Sequence, residues 1–183
     1  MRNLVAAALC VLAAPLSAAG LDVTVEGEGA NGTFHIDLFE DVAPNHVERI
    51  TTLAEEGAYD DVVFHRVIDG FMAQTGDVEH GKMGGDMRMA GMGGSEMPDL
   101  SAEFSDRDFG RGTVGMARSQ NPDSANSQFF IMFAPAPHLN GQYTVVGEVT
   151  SGMDVIDAIK RGTGRNGAVV GQPDRMVSVE VTD

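Results

Sequence analysis

The sequence of 183 residues contains a single cysteine, no tryptophan and few aromatic residues, which make up 6% of the chain. Basic residues are also scarce, since 12 lysines and arginines stand against 27 aspartates and glutamates, for a formal net charge of −15. One cysteine can form neither an intrachain disulfide nor a cysteine-based zinc site. Because so negative a chain repels phosphate backbones and anionic lipid surfaces, we expect neither nucleic acid nor a membrane surface as a partner.

The N-terminal apolar run, residues 4–12, is too short to span a bilayer core of about 30 Å. It follows a basic Arg2 and precedes a stretch of small residues that ends at Ala19. This layout is typical of a secretory signal peptide, so we predict export to the periplasm with cleavage near Ala19. The predicted organisation is a signal peptide, residues 1–19, followed by one domain, residues 20–183. Cleavage would also remove the only cysteine.

The rest of the composition is that of a folded domain. Hydrophobic residues make up 43% of the chain and charged residues 21%, which leaves enough apolar material for a core. The 23 glycines favour tight turns between short strands over long helices. No internal repeat and no interdomain linker stands out, so we expect a monomer with one domain.

Hydrophobic periodicity predicts a mainly β fold with two helices. An alternating pattern on both sides of a glycine-rich turn predicts a β-hairpin within residues 21–38. Apolar residues at helical spacing predict amphipathic helices in residues 43–57 and 153–160. The remaining predicted strands have β-branched or aromatic compositions and comprise residues 59–68, 113–117, 128–133, 143–149 and 176–181. Such short strands, not alternating with helices, favour a closed antiparallel β-barrel capped by two α-helices.

Residues 77–108 are rich in glycine, methionine and aspartate and show no periodicity. We predict a long surface loop there, a kind of segment that is commonly functional. Five methionines follow His80 in this loop: Met83, Met87, Met89, Met92 and Met97. Thioethers are suitable ligands for Cu(I), but methionines also supply adaptable apolar contacts without any metal. We predict no metal site and retain copper binding by this loop as an alternative.

Two motifs of the form G-x-G-x-x-G, at residues 27–32 and 162–167, do not predict a dinucleotide site. That site needs the motif between a strand and a helix, because the helix N-terminus holds the pyrophosphate. The first motif lies between two predicted strands and the second follows a predicted helix, so both predict turns. The five histidines lack metal-site spacing, and no G-x-S-x-G serine motif is present. We predict no cofactor.

Three ordered blocks resemble the signatures of cyclophilin-type peptidyl-prolyl cis-trans isomerases. They read FHRVIDGFMAQTGD at residues 64–77, GMARS and NSQFFI at 115–119 and 126–131, and HLNG with VVG at 138–141 and 145–147. The resemblance extends from about Leu21 to the end of the chain. It implies a closed eight-stranded antiparallel β-barrel capped by two helices, in agreement with the element pattern. It also implies catalysis of rotation about X-Pro peptide bonds.

The resemblance implies roles for eleven residues. Arg66 matches the catalytic arginine of the family, and a permanently charged guanidinium can donate a hydrogen bond to the prolyl nitrogen of a twisted amide. Gln74 matches the glutamine that positions this arginine. The other nine residues match positions of the proline pocket and the substrate groove: Phe71, Met72, Ala117, Arg118, Gln128, Phe130, His138, Leu139 and Tyr143.

Three of these positions depart from the best-known eukaryotic pattern. His138 replaces a tryptophan, Tyr143 a histidine and Arg118 an asparagine. The tryptophan position chiefly affects the inhibitor cyclosporin, so we predict weak cyclosporin binding with retained isomerase activity. The predicted substrates are proline-containing, exported or unfolded polypeptides whose folding the protein assists. The competing hypothesis is a binding module that grips proline peptides in the same groove, with turnover incidental.

Overall fold

The computed structural model describes residues 19–182. The predicted signal peptide, residues 1–19, therefore lies outside the described residues except for Ala19. The secondary structure, in chain order, is β1 (Gly20–Glu26), β2 (Gly32–Leu38), α1 (Pro44–Glu55), β3 (Val62–Val63), β4 (Arg66–Ile68), β5 (Met72–Thr75), β6 (Thr113–Met116), β7 (Phe129–Met132), β8 (Val145–Ser151), α2 (Met153–Ala158) and β9 (Arg175–Thr182). Across this range, no helix is long and apolar enough to cross a membrane.

All nine strands belong to one antiparallel sheet with the order β3-β9-β1-β2-β8-β6-β7-β5-β4. The predicted N-terminal hairpin is confirmed, with β1 and β2 paired from Gly20 opposite Asp37 to Val25 opposite Gly32. β9, the last strand of the described chain, lies between β1 and β3. The mainly β prediction with two helices is therefore confirmed.

The predicted closed eight-stranded barrel is wrong, because the sheet has nine strands and is an open half-barrel. Residues 59–68, predicted as one strand, form the two short strands β3 and β4, separated by Phe64 and His65. Among the strands, β3 pairs with β9 and β4 with β5, so these two strands stand at the two ends of the strand order, and single bridges join each of them to a loop. The sequence analysis also missed β5, which has only four residues and a half-buried Gln74 among buried neighbours.

The two helices lie where their apolar spacing predicts them, with different lengths. α1 begins at Pro44, whose fixed φ suits the first helical turn, and buries Val47, Ile50 and Leu53. α2 ends at Ala158, two residues before the predicted end, because Ile159 adopts an extended conformation with ψ of 131°.

The buried side chains form two clusters on opposite faces of the sheet. Adjacent residues of a strand point to opposite faces, and β7 divides its side chains accordingly. Phe129 and Ile131 pack in the larger cluster with the helices, whereas Phe130 and Met132 pack in the smaller one. Phe129 thus belongs to the main core, whereas Phe130 lies on the face of the sheet that carries the smaller cluster.

The buried carboxylate of Asp174 fixes the chain after α2. It accepts hydrogen bonds from the amides of Gly29, Ala30 and Lys160, at 2.9, 3.1 and 2.8 Å. The loop that follows Lys160 then runs beside β4. A buried carboxylate with several amide donors thus holds the first turn of the sheet and this loop together.

Candidate functional site

The site is centred on Arg66, which strand register places beside Gln74. Arg66 of β4 lies directly opposite Gln74 of β5, and Gln74 lies opposite Phe130 of β7. Arg66 Nη1 donates to Gln74 Oε1 at 3.0 Å. Three adjacent strands therefore present an arginine, an amide and an aromatic ring in one row across the sheet.

Further hydrogen bonds extend this row on both sides. Gln74 Nε2 donates to Gln128 Oε1 at 3.0 Å, and Gln128 Nε2 donates to the carbonyl oxygen of Gly93 at 2.7 Å. On the other side, Arg66 Nε donates to the carbonyl oxygen of Asn166 at 2.9 Å. Burial lowers the pKa of Arg66 below its ordinary value, but an arginine remains charged at neutral pH. The result is a positively charged side chain whose position is fixed within a continuous row of hydrogen bonds.

A pocket of about 150 Å³ opens beside this cation. Its wall is formed by nine of the eleven residues that the sequence analysis selected: Arg66, Phe71, Met72, Gln74, Ala117, Arg118, Phe130, Leu139 and Tyr143. The rings of Phe130 and Tyr143 meet edge to face, with centroids 5.6 Å apart. This is a small pocket in which aromatic and aliphatic side chains stand beside two arginines, an arrangement that suits a compact apolar ring attached to a polar backbone.

The other two selected residues lie next to this pocket. Gln128 lines a second, larger pocket of about 450 Å³, whose wall also includes Gln74, Ala117 and Arg118. His138 is exposed and stacks on Phe71, with ring centroids 5.9 Å apart. Ten of the eleven predicted residues therefore line two pockets that share a wall, and His138 lies beside them against Phe71.

The side chain of Arg118 contacts the segment that precedes β8. Its guanidinium donates to the carbonyl oxygen of Gln142 at 2.8 and 3.1 Å and lies over the Tyr143 ring, 4.3 Å from the centroid. Such a cation on an aromatic face restrains the ring. β6 has strand neighbours on both sides up to Met116, so an edge for pairing with a ligand backbone begins only at Ala117.

The second pocket contains residues that the sequence analysis did not select. The backbone in the wall of this pocket is held by the side chains of Asp77 and Asn126, which are far apart in sequence. Asp77, fully buried, accepts hydrogen bonds from the amides of Gly91 and Gly93, at 2.7 and 3.0 Å, and from those of Glu79 and His80. Asn126 accepts from the Ser95 amide and hydroxyl, both at 2.7 Å.

Two titratable groups lie near the larger pocket, His65 and Asp77, and both have lowered pKa values for different physical reasons. Burial lowers the pKa of His65 to about 4, although Asp77 acts against this. Burial alone would raise the pKa of Asp77, but the amides of His80, Gly93 and Gly91 outweigh it and the pKa is lowered. At neutral pH the site therefore contains a neutral imidazole and a carboxylate.

The comparison with protein families decides the identity of this site. The model described as cyclophilin type peptidyl-prolyl cis-trans isomerase/CLD matches residues 21–181. The chain belongs to the cyclophilin family of peptidyl-prolyl cis-trans isomerases. This confirms the family and the enzyme class that the three sequence blocks predicted.

Relatives of this cyclophilin come from bacteria and fungi. It is 56% identical over 167 residues to a probable peptidyl-prolyl cis-trans isomerase of Brucella suis, covering 90% of this chain and 85% of the relative. It is 39% identical over 131 residues to the peptidyl-prolyl cis-trans isomerase-like 1 of Aspergillus fumigatus, covering 68% and 74%. Both relatives are named as peptidyl-prolyl cis-trans isomerases or isomerase-like proteins, and this chain matches most of the length of each.

Solved cyclophilin structures share the fold. A cyclophilin of Cryptosporidium parvum superposes with a TM-score of 0.74 at 21% identity and covers 90% of this chain and 97% of its own. A cyclophilin of Hirschia baltica has a TM-score of 0.69 at 23% identity, with 88% and 73% covered. The half-barrel with two helices is thus the cyclophilin architecture.

The methionine-rich loop of this cyclophilin remains irregular, as predicted. Within it, Met92 is 72% and Met89 41% exposed, whereas Met97 packs against the larger core cluster. Among residues 19–182, no group of three or more histidine, cysteine or acidic side chains is placed to hold a metal ion. Copper binding through the thioethers stays an untested alternative.

Proposed function

We propose that this cyclophilin rotates X-Pro bonds in exported or unfolded polypeptides and so assists their folding. Arg66 and Gln74 would carry the catalysis, and the two pockets would hold the chain around the proline. The observation that carries this proposal is the placement of Arg66, whose guanidinium is held by two hydrogen bonds at the wall of a pocket that Phe71, Phe130 and Leu139 help to line.

The chemistry follows from the amide itself. Rotation about a peptide bond is opposed by a barrier of about 18 to 20 kcal/mol, because the nitrogen lone pair is delocalised into the carbonyl. In the twisted transition state the lone pair returns to the prolyl nitrogen, which becomes pyramidal and basic. A donor that hydrogen-bonds this nitrogen stabilises the twisted state more than either planar state, and such differential binding is catalysis. Arg66 supplies that donor without losing a proton.

The pockets would bind the substrate in an extended conformation. The proline ring would occupy the pocket lined by Phe71, Phe130 and Leu139, and the backbone before it would pass Ala117 and Arg118. Backbone recognition with one apolar anchor gives affinity with little sequence preference. Such binding suits substrate polypeptides that have only a proline residue in common.

Export and location belong to the same proposal. The charge and apolar pattern of residues 1–19 supports secretion with cleavage near Ala19. The cleaved protein would act in the periplasm as a monomer, without cofactor, on polypeptides that have yet to fold. N-terminal sequencing of the protein from the periplasmic fraction tests both the location and the cleavage site.

The decisive experiment compares the protein with an Arg66→Ala variant in the isomerisation of a short peptide containing Ala-Pro-Phe. We expect kcat/KM to fall by about 10² to 10³, the usual effect of removing one transition-state donor. Arg88→Ala is the matched control, since Arg88 is exposed and its guanidinium pairs, among residues 19–182, only with Asp86. A protein that binds the peptide but barely exceeds the uncatalysed rate would instead be a binding module.

Two further measurements test the remaining expectations. Cyclosporin should bind weakly, and His138→Trp should strengthen its binding while isomerase activity is retained. For the copper alternative, Cu(I) titration of the protein and of a variant with Met87 and Met89 changed to leucine is informative. An unchanged stoichiometry would dispose of the loop as a metal site.

A further inference from the structure

One side of the Arg66 guanidinium is held by the loop after α2, a segment in which the sequence pattern predicts only a turn. Arg66 Nε donates to the Asn166 carbonyl oxygen at 2.9 Å, while Nη1 donates to Gln74. Within residues 19–182, Nη2 has no hydrogen-bond acceptor. Two bonds to different nitrogens of a planar group fix its orientation, so Asn166 and Gln74 together determine where Nη2 points.

Asn166 directs its carbonyl by adopting a left-handed backbone conformation. Its φ is 58° and its ψ 26°, and Asp61 is the only other non-glycine residue with positive φ in the described part of the chain. Asparagine tolerates this region better than most residues. The side chain is exposed, so the contribution of Asn166 to the site is its backbone geometry.

The loop is anchored to β4 on both sides of Arg66. The Gly162 amide donates to the carbonyl oxygen of Val67 at 2.9 Å, and the Val169 amide donates to the carbonyl oxygen of His65 at 3.0 Å. Gly167 packs so closely against Ile68 that a side chain there would collide with it. The second G-x-G-x-x-G motif thereby acquires a reason: Gly167 lets the loop approach the strand that carries Arg66, and Gly162 and Gly164 let the loop fold closely on itself.

We propose that Asn166 is a positioning residue for the isomerisation, acting through its carbonyl oxygen on the Nε of Arg66. The inference rests on the proposed catalytic role of Arg66 and extends it to a loop outside the three resembling sequence blocks. Loss of the left-handed conformation would turn the carbonyl away, and the guanidinium would keep only contacts of Nη1, with Gln74 Oε1 and, at 3.9 Å, the Met72 sulfur, among the described residues.

The test uses two substitutions at one exposed position. Asn166→Val disfavours positive φ, because a β-branched residue rarely adopts it. Since a small misplacement of a catalytic group is costly, we expect kcat to fall about tenfold with KM little changed. Asn166→Gly, which adopts positive φ freely, is expected to rescue the rate. Asn166→Ala offers a milder perturbation should the valine variant fail to fold.

Two controls separate positioning from general destabilisation. Asp61→Val imposes a similar backbone conflict just before β3, and should lower the melting temperature without lowering kcat. In the Arg66→Ala background, Asn166→Val should cause no further loss of rate. Hydrogen exchange of the Arg66 Nε–H, followed by NMR, should accelerate in Asn166→Val and return to the wild-type rate in Asn166→Gly.

The outcomes distinguish this inference from the proposed function. If Asn166→Val keeps the wild-type kcat while Arg66→Ala is inactive, the positioning role is wrong and the proposed function stands. If Arg66→Ala is itself fully active, the proposed mechanism fails, and the positioning role fails with it. A further loss in the double variant would show that the loop acts through something other than Arg66.

Discussion

The two adjoining pockets are built in different ways. The smaller one is lined mainly by residues on or next to the paired strands β4, β5, β6 and β7, and its side chains follow from register. The larger one is lined mainly by loop residues, whose backbone is held by the side chains of Asp77 and Asn126. One depends on repeated backbone pairing, the other on a few buried polar groups. A single substitution of one of these buried polar groups should therefore destabilise the larger pocket far more than the smaller one.

The largest effect is expected from Asp77→Ala, which leaves the amides of Glu79, His80, Gly91 and Gly93 without their acceptor. Losing several bonds to a buried charge should cost about 4 kcal/mol of unfolding free energy. Urea unfolding measures this, and amide exchange should increase at Gly91 and Gly93 before it does at Gln74. Asp86→Ala, an exposed aspartate of the same loop, should unfold like the wild type. Equal exchange in both pockets would refute the distinction between them.

Acidification should produce the next largest effect, through His65, whose ring lies against Gly91 of the larger pocket. Its pKa is about 4 in the folded protein and about 6.5 when unfolded. The unfolded chain therefore binds more protons between these values, and stability should fall by about 3 kcal/mol as the pH drops from 7 to 4.

Urea unfolding at pH 7, 6, 5 and 4 checks the expected loss. The slope should flatten in His65→Gln but persist in His138→Gln, whose histidine is exposed. Asp77, with its lowered pKa, contributes stability that is lost only below about pH 4. A flat profile down to pH 4 in the wild type would show that His65 is solvated.

Asn126→Ala should have an intermediate effect. It removes hydrogen bonds to Ser95, Met97 and Asp99 at the far side of the larger pocket. Because this site is partly exposed, about 2 kcal/mol is expected. Asn121→Ala, at an exposed asparagine, provides the matched control in urea unfolding. A loss as large as that of Asp77→Ala would mean that Asn126, not Asp77, is the main support of the pocket.

The smallest effect is expected from Gln128→Ala, which cuts the link between the pockets. It removes the bonds from Gln74 and to Gly93 but leaves Arg66 with both of its anchors. A fall in kcat/KM of about fivefold, or about 1 kcal/mol, is expected. Gln120→Ala, at an exposed glutamine, should be neutral in the same assay. A loss comparable to that of Arg66→Ala would assign Gln128 a direct part in catalysis.

The difference between the smaller and the larger pocket also explains how much of this site the sequence can predict. Residues of the smaller pocket lie in short motifs, and one strand register brings Arg66, Gln74 and Phe130 together. The larger pocket is assembled by contacts such as that between Asn126 and Ser95, 31 residues apart in an aperiodic segment. Hydrophobic periodicity carries no signal for such polar contacts.

The errors in the predicted fold have the same origin. The stretch from 59 to 68 is rich in β-branched and aromatic residues and so indicates β structure, but it contains no sign that its two halves pair with different neighbours. Likewise, the four residues of β5 are too few for a periodic pattern to stand out. The left-handed Asn166 is visible only in the structure, since the sequence pattern there indicates a turn and nothing about where its carbonyl points.

The position of β9 between β1 and β3 has a consequence for how the protein is made. These two strands meet no partner in common until the last eight-residue strand joins them. During synthesis these two strands therefore stay unconnected until residues 175–182 have emerged, and pairings so distant in sequence are slow to form. The β1 side of the sheet and the short β3 strand are thus joined late, by a segment that lies about 150 residues after β1.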